Sequence, residues 1–315
     1  MNNRRSFIVG IKSTKLSVKE KSFLKKYKPW GVILFTRNID NIKQTQQLTS
    51  SIRKIFKDKY YPILIDQEGG RVNRLKKLII CESLTAEFFG KKYVNNYKEF
   101  KFFYKLFIDK TSYLLNLLGI NINTVPVLDL RMKGSSKIIG DRSYSNSTKI
   151  VSSIGDYCIR FFHENQIGTI MKHIPGHGLA KTDSHFFTPI VNKQKNYLFK
   201  KDFITFKNKK TFFAMTAHII FNKIDSLNTV THSKKMINLI RKKIRFKNIL
   251  ISDDLSMKSL KGNLKQNTIK TFKAGCNIAL HCNGNYKEME IVGKNSPLVN
   301  NFIIKKTSQF YKILR

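Results

Sequence analysis

A chain of 315 residues is long enough for one large α/β domain or two ordinary ones. Its 41% hydrophobic and 25% charged content is that of a folded globular protein and excludes a disordered one. The formal net charge of +39 would gather phosphates or an anionic surface, so nucleic acid is the first macromolecule to weigh, yet the lysines are spread along the whole chain and no nucleic-acid motif accompanies them.

Eight short apolar runs punctuate the chain, rich in Ile, Val and Phe and without strict alternation, as suits strands buried on both faces. The first, SFIVGI (6–11), is too short for a signal-peptide core, and no run approaches the roughly 20 apolar residues of a membrane span. GVILF (31–35) follows, then a helical pattern from Asn41, a residue suited to the N-cap, to Phe56. PILID (62–66) is the third run. A longer helix is expected from about Tyr97 to Leu118, ended by Gly119 in the left-handed region. INTVPVLD (122–129) comes next, then an amphipathic helix in IVSSIGDYCIRFFHEN, and then TIMKH (169–173). TFFAMTAH (211–218), a helical SKKMINLIRKKI (233–244), NILISDD (248–254) and NIALHC (277–282) complete the series. The tail 296–315 is expected to form a last helix.

Eight strands alternating with helices point to a single-domain (β/α)₈ TIM-like barrel spanning 1–315. Asp66, Asp129, Lys172 with His173, His218, Asp253 with Asp254, and His281 with Cys282 all fall at strand ends, where such a barrel gathers its active site. An open doubly wound sheet is the rival, but no GxGxxG or Walker sequence follows an early strand. Cys81, Cys158, Cys276 and Cys282 show no CxxC spacing. Free thiols in a reducing compartment are expected, and with them a soluble cytoplasmic protein.

The richest stretch for chemistry is TIMKHIPGHGLAKTDSH (169–185), too glycine-rich for a helix. Asp183 and His185 stand two apart, so the carboxylate can fix the imidazole tautomer and raise its proton affinity. A histidine held this way can protonate a leaving group and later deprotonate water. In ISDDLSM (251–257) only one of the two acids can point along the barrel axis; Asp253 is that acid, a nucleophile or a stabiliser of positive charge, with Asp254 turned away to bond locally. DQEGGRVNRL (66–75) sets Asp66, Arg71 and Arg74 near one strand end, and GDRSY (140–144) adds Arg142; such guanidinium forks suit a polyol or a carboxylated ligand. His173, His177, Asp183 and His185 invite a metal, but the first two strands end without histidine and Lys172 would repel a nearby cation, so no metal is expected. No nucleophile elbow is present.

KHIPGHG followed by DSH, with IDQEGGRVNRL before it and ISDDLSM after it, closely resembles the bacterial β-N-acetylhexosaminidases of glycoside hydrolase family 3. GVILFTRN, ININTVPVLDL, IGDRSY and MTAHI resemble further family segments in the family's order, so that the likeness runs from Gly31 to Cys282. It implies a retaining glycosidase that removes terminal non-reducing N-acetylglucosamine, with anhydro-muropeptides of cytoplasmic cell-wall recycling as substrate and no metal or organic cofactor. It also implies Asp253 as nucleophile, His185 held by Asp183 as acid/base, and sugar-binding roles for Asp66, Arg74, Arg142, Lys172 and His173. Ile174 and Asp141 depart from the family's usual phenylalanine and asparagine without removing a functional group. Two alternatives stay open: a basic barrel that binds nucleic acid or an anionic surface after losing catalysis, and a family relative specific for glucose or glucosamine. Oligomeric state is not legible.

Overall fold

The structure is a computed structural model and describes residues 1, 3–134, 136–184 and 187–315. In chain order its elements are β1 (Arg5–Gly10), α1 (Val18–Tyr27), β2 (Pro29–Leu34), α2 (Ile42–Phe56), β3 (Ile63–Ile65), α3 (Ala86–Asn95), α4 (Tyr97–Leu117) and β4 (Ile122–Asn123). Then come α5 (Thr148–Glu164), β5 (Gly168–Ile174), β6 (Ile190–Val191), α6 (Lys195–Lys200), β7 (Phe213–Thr216), β8 (Ile220–Phe221) and α7 (Lys234–Leu239). β9 (Ile249–Asp254), α8 (Leu264–Ala274), β10 (Ile278–His281), α9 (Tyr286–Asn295) and α10 (Asn301–Tyr311) follow. β1, β2, β3, β4, β5, β7, β9 and β10 close in that order into a parallel barrel, and β6 pairs with β8 in a separate ribbon. The expected (β/α)₈ architecture is therefore the observed one.

Local chemistry accounts for the helix ends. Ser17 and Glu20 form a reciprocal capping box on α1, and the Asn41 side chain accepts the Gln44 amide at the start of α2. Gly119, at φ +72°, turns the chain out of α4 into β4. The fourth strand is much shorter than 122–129. Pro126 has no N–H to give the ladder, and only isolated contacts persist beyond it, Leu128 N–H to Lys172 O among them.

Alternation along the strands produces two cores. Phe7, Val9, Val32, Ile63, Met171 and Leu250 pack outward under the helices, whereas Ile8, Ile33, Leu64, Ile170, Phe213 and Ile251 fill the barrel. α10 seals the interior at the N-terminal end of the strands: Ile303 and Phe310 join the inner cluster, and the Trp30 indole donates to Thr307 Oγ1 at 2.9 Å. Phe310 sits where a Cβ on Gly168 would come within 2.5 Å of its ring, so β5 must begin on glycine. With that end plugged, the opposite mouth is where a ligand can enter.

Candidate active site

The wall after β3 is built by a folded-back turn. Asn123 Oδ1 accepts the Gln67 amide at 2.9 Å, and Gln67 Oε1 accepts the amides of Arg74 and Leu75 at 2.9 and 3.1 Å, returning Arg74 toward the strand end. Asp66 thereby meets Arg74 Nη2 at 3.5 Å and Lys172 Nζ at 3.1 Å, and accepts from the Thr124 hydroxyl. Lys172, on β5 and buried, also donates to Thr124 Oγ1 at 2.8 Å and reaches Glu68 Oε1 at 2.6 Å. Burial alone would raise the Asp66 pKa, but Lys172 and Arg74 outweigh it and hold the carboxyl well below the ordinary carboxylate range. Glu68 behaves alike: burial opposes ionisation, Arg142 and Lys172 overcome it, and the pKa falls to about 2.

Arg142 grips Glu68 through Nε and Nη2, both at 2.8 Å, in the planar fork only arginine offers. Arg71 crosses the other way, donating to Asp141 at 2.8 Å and to the Lys137 and Ile138 carbonyls at 2.7 Å. These contacts staple the loop after β3 to the loop after β4 along one rim of the mouth.

Asp129 organises the next sector. Fully buried, it accepts hydrogen bonds from His173 Nδ1 at 2.7 Å and from the His177 backbone amide at 2.7 Å. Burial raises its pKa and His173 more than offsets that, leaving it ionised below its ordinary value. His177 Nε2 lies 3.1 Å from Ser184 Oγ, so the glycine-rich stretch is tied at its far end to the histidine that Asp129 holds. Burial, with His173 adding to it, depresses the His177 pKa to about 4, so the ring is neutral. Asp183 immediately precedes Ser184 and its carbonyl accepts the Phe187 amide at 3.0 Å. His185 lies outside the described residues.

β9 delivers the two adjacent acids to opposite sides. Asp253 lines the cavity. The Asp254 carboxylate instead accepts the Cys282 amide at 3.1 Å and the Ser256 hydroxyl at 2.7 Å. Not every polar strand end reaches the mouth, which corrects the expectation that all of them converge there. His218 is fully buried against the Asp254 carbonyl, and His281 points from β10 to Glu288 at 3.1 Å while its neighbour Leu280 faces the cavity. The two-residue period of a strand decides which of each pair is inside.

Asp66, Glu68, Arg71, Arg74, Arg142, Lys172, His173, His177, Ser184 and Asp253 share one open cavity of about 170 Å³, floored by Met215 and Leu280. The sequence alone placed Asp129 at a strand end without a specific role and singled out neither Glu68 nor Gln67. A signal for Glu68 was present: three cations gathered in one pocket require more counter-charge than Asp66 supplies. Unpaired, Lys172, Arg74 and Arg142 would oppose a positive charge developing on a sugar unless they kept to its periphery. The structure relieves that conflict differently, by pairing them with Asp66 and Glu68. The cavity can therefore donate hydrogen bonds to hydroxyls while tolerating a developing cation beside Asp253. Among the described residues, no three His, Cys, Asp or Glu side chains are grouped to hold a metal ion, and the four cysteines are free thiols.

Comparison with known proteins agrees with this geometry. Residues 7–307 match the glycosyl hydrolase family 3 N-terminal domain. The chain is 31% identical over 288 residues to a β-hexosaminidase of Haemophilus influenzae, covering 88% of this chain and 79% of that one. It is 32% identical over 286 residues to a β-hexosaminidase of Actinobacillus pleuropneumoniae, covering 88% and 80%. The solved structure of NagZ from Neisseria gonorrhoeae in complex with N-trifluoroacetyl-D-glucosamine superposes with a TM-score of 0.85 at 25% identity, over 99% of this chain and 90% of that one. The chain belongs to the bacterial β-hexosaminidases of glycosyl hydrolase family 3.

Proposed function

We propose that the cavity removes a terminal non-reducing N-acetylglucosamine with retention of configuration, using Asp253 as nucleophile and His185, oriented by Asp183, as acid/base. The observation that carries this reading is the placement of Asp253. It stands on β9, diametrically across the closed barrel from β3 and its Asp66, so a ring bound between them exposes opposite ends to the two carboxylates. Asp253 attacks the anomeric carbon as the histidine protonates the departing oxygen; water, deprotonated by the same histidine, then releases the sugar from the enzyme. Asp66, Arg74, Arg142, Lys172 and His173 hold the sugar from the far wall. The substrate of this reading is the N-acetylglucosaminyl-anhydro-N-acetylmuramyl fragment, with or without its stem peptide, met in the cytoplasm during cell-wall recycling. The scheme needs no metal or organic cofactor, so turnover is expected to survive exhaustive chelation.

Hydrolysis of an aryl N-acetyl-β-glucosaminide, followed by proton NMR, tests the reading. The β-anomer should appear first, and Asp253→Ala should be inactive. First release of the α-anomer, or full turnover by Asp253→Ala, would overturn the mechanism.

A further inference from the structure

MTAHI supplies a histidine that the reaction scheme leaves without a role. His218 follows β7, is fully buried and does not line the cavity. Its two ring nitrogens nevertheless have directed partners. Nε2 lies 3.1 Å from the Asp254 carbonyl oxygen and Nδ1 lies 2.8 Å from Thr231 Oγ1. A carbonyl oxygen only accepts, so Nε2 carries the proton and neutral Nδ1 accepts from the threonine. Thr231, its own proton thus committed, accepts from Thr216 Oγ1 at 2.8 Å. Hydroxyl, hydroxyl, imidazole and carbonyl form one directed chain from β7 to β9. Burial lowers the His218 pKa and outweighs the opposing influence of Asp253, in keeping with a neutral ring.

The end of that chain is the residue next to the nucleophile. The Asp254 backbone N–H donates to Asp253 Oδ1 at 2.8 Å. Its carboxylate is held by the Cys282 amide and by Ser256, and its carbonyl by His218 and the Met257 amide at 3.1 Å. Asp254 is therefore a bracket that presents one amide to one oxygen of Asp253, and His218 is the side chain that fixes the carbonyl face of the bracket.

We propose that His218, as the neutral Nε2–H tautomer set by Thr231, is a positioning residue that holds the Asp253–Asp254 turn so that the Asp253 carboxylate stays aimed into the cavity. This rests on the reading of Asp253 as nucleophile. Without the donor the peptide can rotate and the carboxylate loses its aim, a displacement that substrate binding on the far wall does not sense.

His218→Phe preserves bulk and removes the donor, whereas the amide of His218→Gln can reach the Nε2 position. For the aryl N-acetyl-β-glucosaminide, kcat of His218→Phe should fall about a hundredfold with KM held within about threefold, and His218→Gln should return to within about tenfold of wild type. Nitrogen-15 NMR of the wild-type protein at pH 7 should show His218 neutral with its proton on Nε2, a readout that needs no variant to fold. An Nδ1–H tautomer, an imidazolium, or a wild-type kcat in His218→Phe overturns the proposal. Asp253→Ala assayed alongside separates the two failures. If it is inactive while His218→Phe is unimpaired, only the positioning role falls; if it turns over normally, the nucleophile assignment itself falls.

Discussion

Lys172 Nζ stands 2.6 Å from Glu68 Oε1, deep in the wall of the cavity, and Arg142 holds the same carboxylate from the other side. Glu68 is thus the shared counter-ion of two buried cations. Among the described residues Glu68 is the carboxylate paired with Arg142, while Lys172 would keep Asp66 alone, and removing one partner of a buried pair leaves an uncompensated charge. Glu68→Gln should therefore lower stability by about 3–5 kcal/mol, read from urea unfolding. It should also cut kcat/KM at least tenfold or so, since freed positive charge would face the developing cation. An unchanged unfolding midpoint would show that the two cations find other partners.

The acid/base role predicts a dependence on the leaving group. His185→Ala should lose about 10²–10⁴-fold in kcat on a disaccharide whose departing oxygen needs a proton. On an aryl glycoside with an acidic phenol the loss should be much smaller, and an added small anion such as azide should restore turnover by intercepting the glycosyl-enzyme. Equal losses on both substrates would remove His185 from that role.

Asp202 offers a pH signature. Its carboxylate is buried against the turn of the glycine-rich stretch, where a Cβ on Gly176 would lie 2.6 Å from the Asp202 Cβ. Among the described residues its oxygens meet no side-chain donor. Burial, reinforced by the Asp129 charge and opposed by the Leu179 amide, raises its pKa from 3.8 to about 8. The folded chain therefore binds more protons than the unfolded one between those values. The stability contributed by the protonated acid is complete below the lower value and is lost as pH rises toward the upper. Asp202→Asn, which stays neutral, should match wild type in melting temperature near pH 4 and exceed it increasingly up to about pH 8. A difference independent of pH would mean the carboxyl is ionised throughout.

Closure of the barrel's lower end by α10 can be tested apart from catalysis. Phe310 is fully buried against Phe213 and the start of β5. Phe310→Ala should cost about 3–5 kcal/mol in denaturant unfolding. KM should not change, because the cavity lies at the other end of the strands. A stability loss below about 1 kcal/mol would show that α10 packs as an appendage rather than a plug.

Much of this was legible in one dimension. Ile- and Val-rich runs set at intervals that admit a helix between them can hardly bury both faces except in a parallel sheet, and polar groups at the exit of run after run marked one end of it. Of the residues expected to bind and react, Asp66, Arg74, Arg142, Lys172, His173 and Asp253 share a single cavity, whereas Asp183 is not among its lining residues and His185 lies outside the described residues. Proline-interrupted β4 was overextended because Val127 and Leu128 look like strand but follow a residue with no N–H to offer.

Composition and periodicity could therefore specify the barrel and nominate its chemistry, since both are written in residue type and spacing. Which neighbour of each strand-end pair faces inward, Asp253 rather than Asp254 or Leu280 rather than His281, depends on the barrel's register, and residue type alone does not encode it. The pairing of Lys172 with Glu68, and of His218 with a carbonyl 36 residues further on, exists because strands far apart in the chain end at the same mouth of the barrel. Charge compensation and tautomer choice are properties of that shared space, so they were set when the barrel closed.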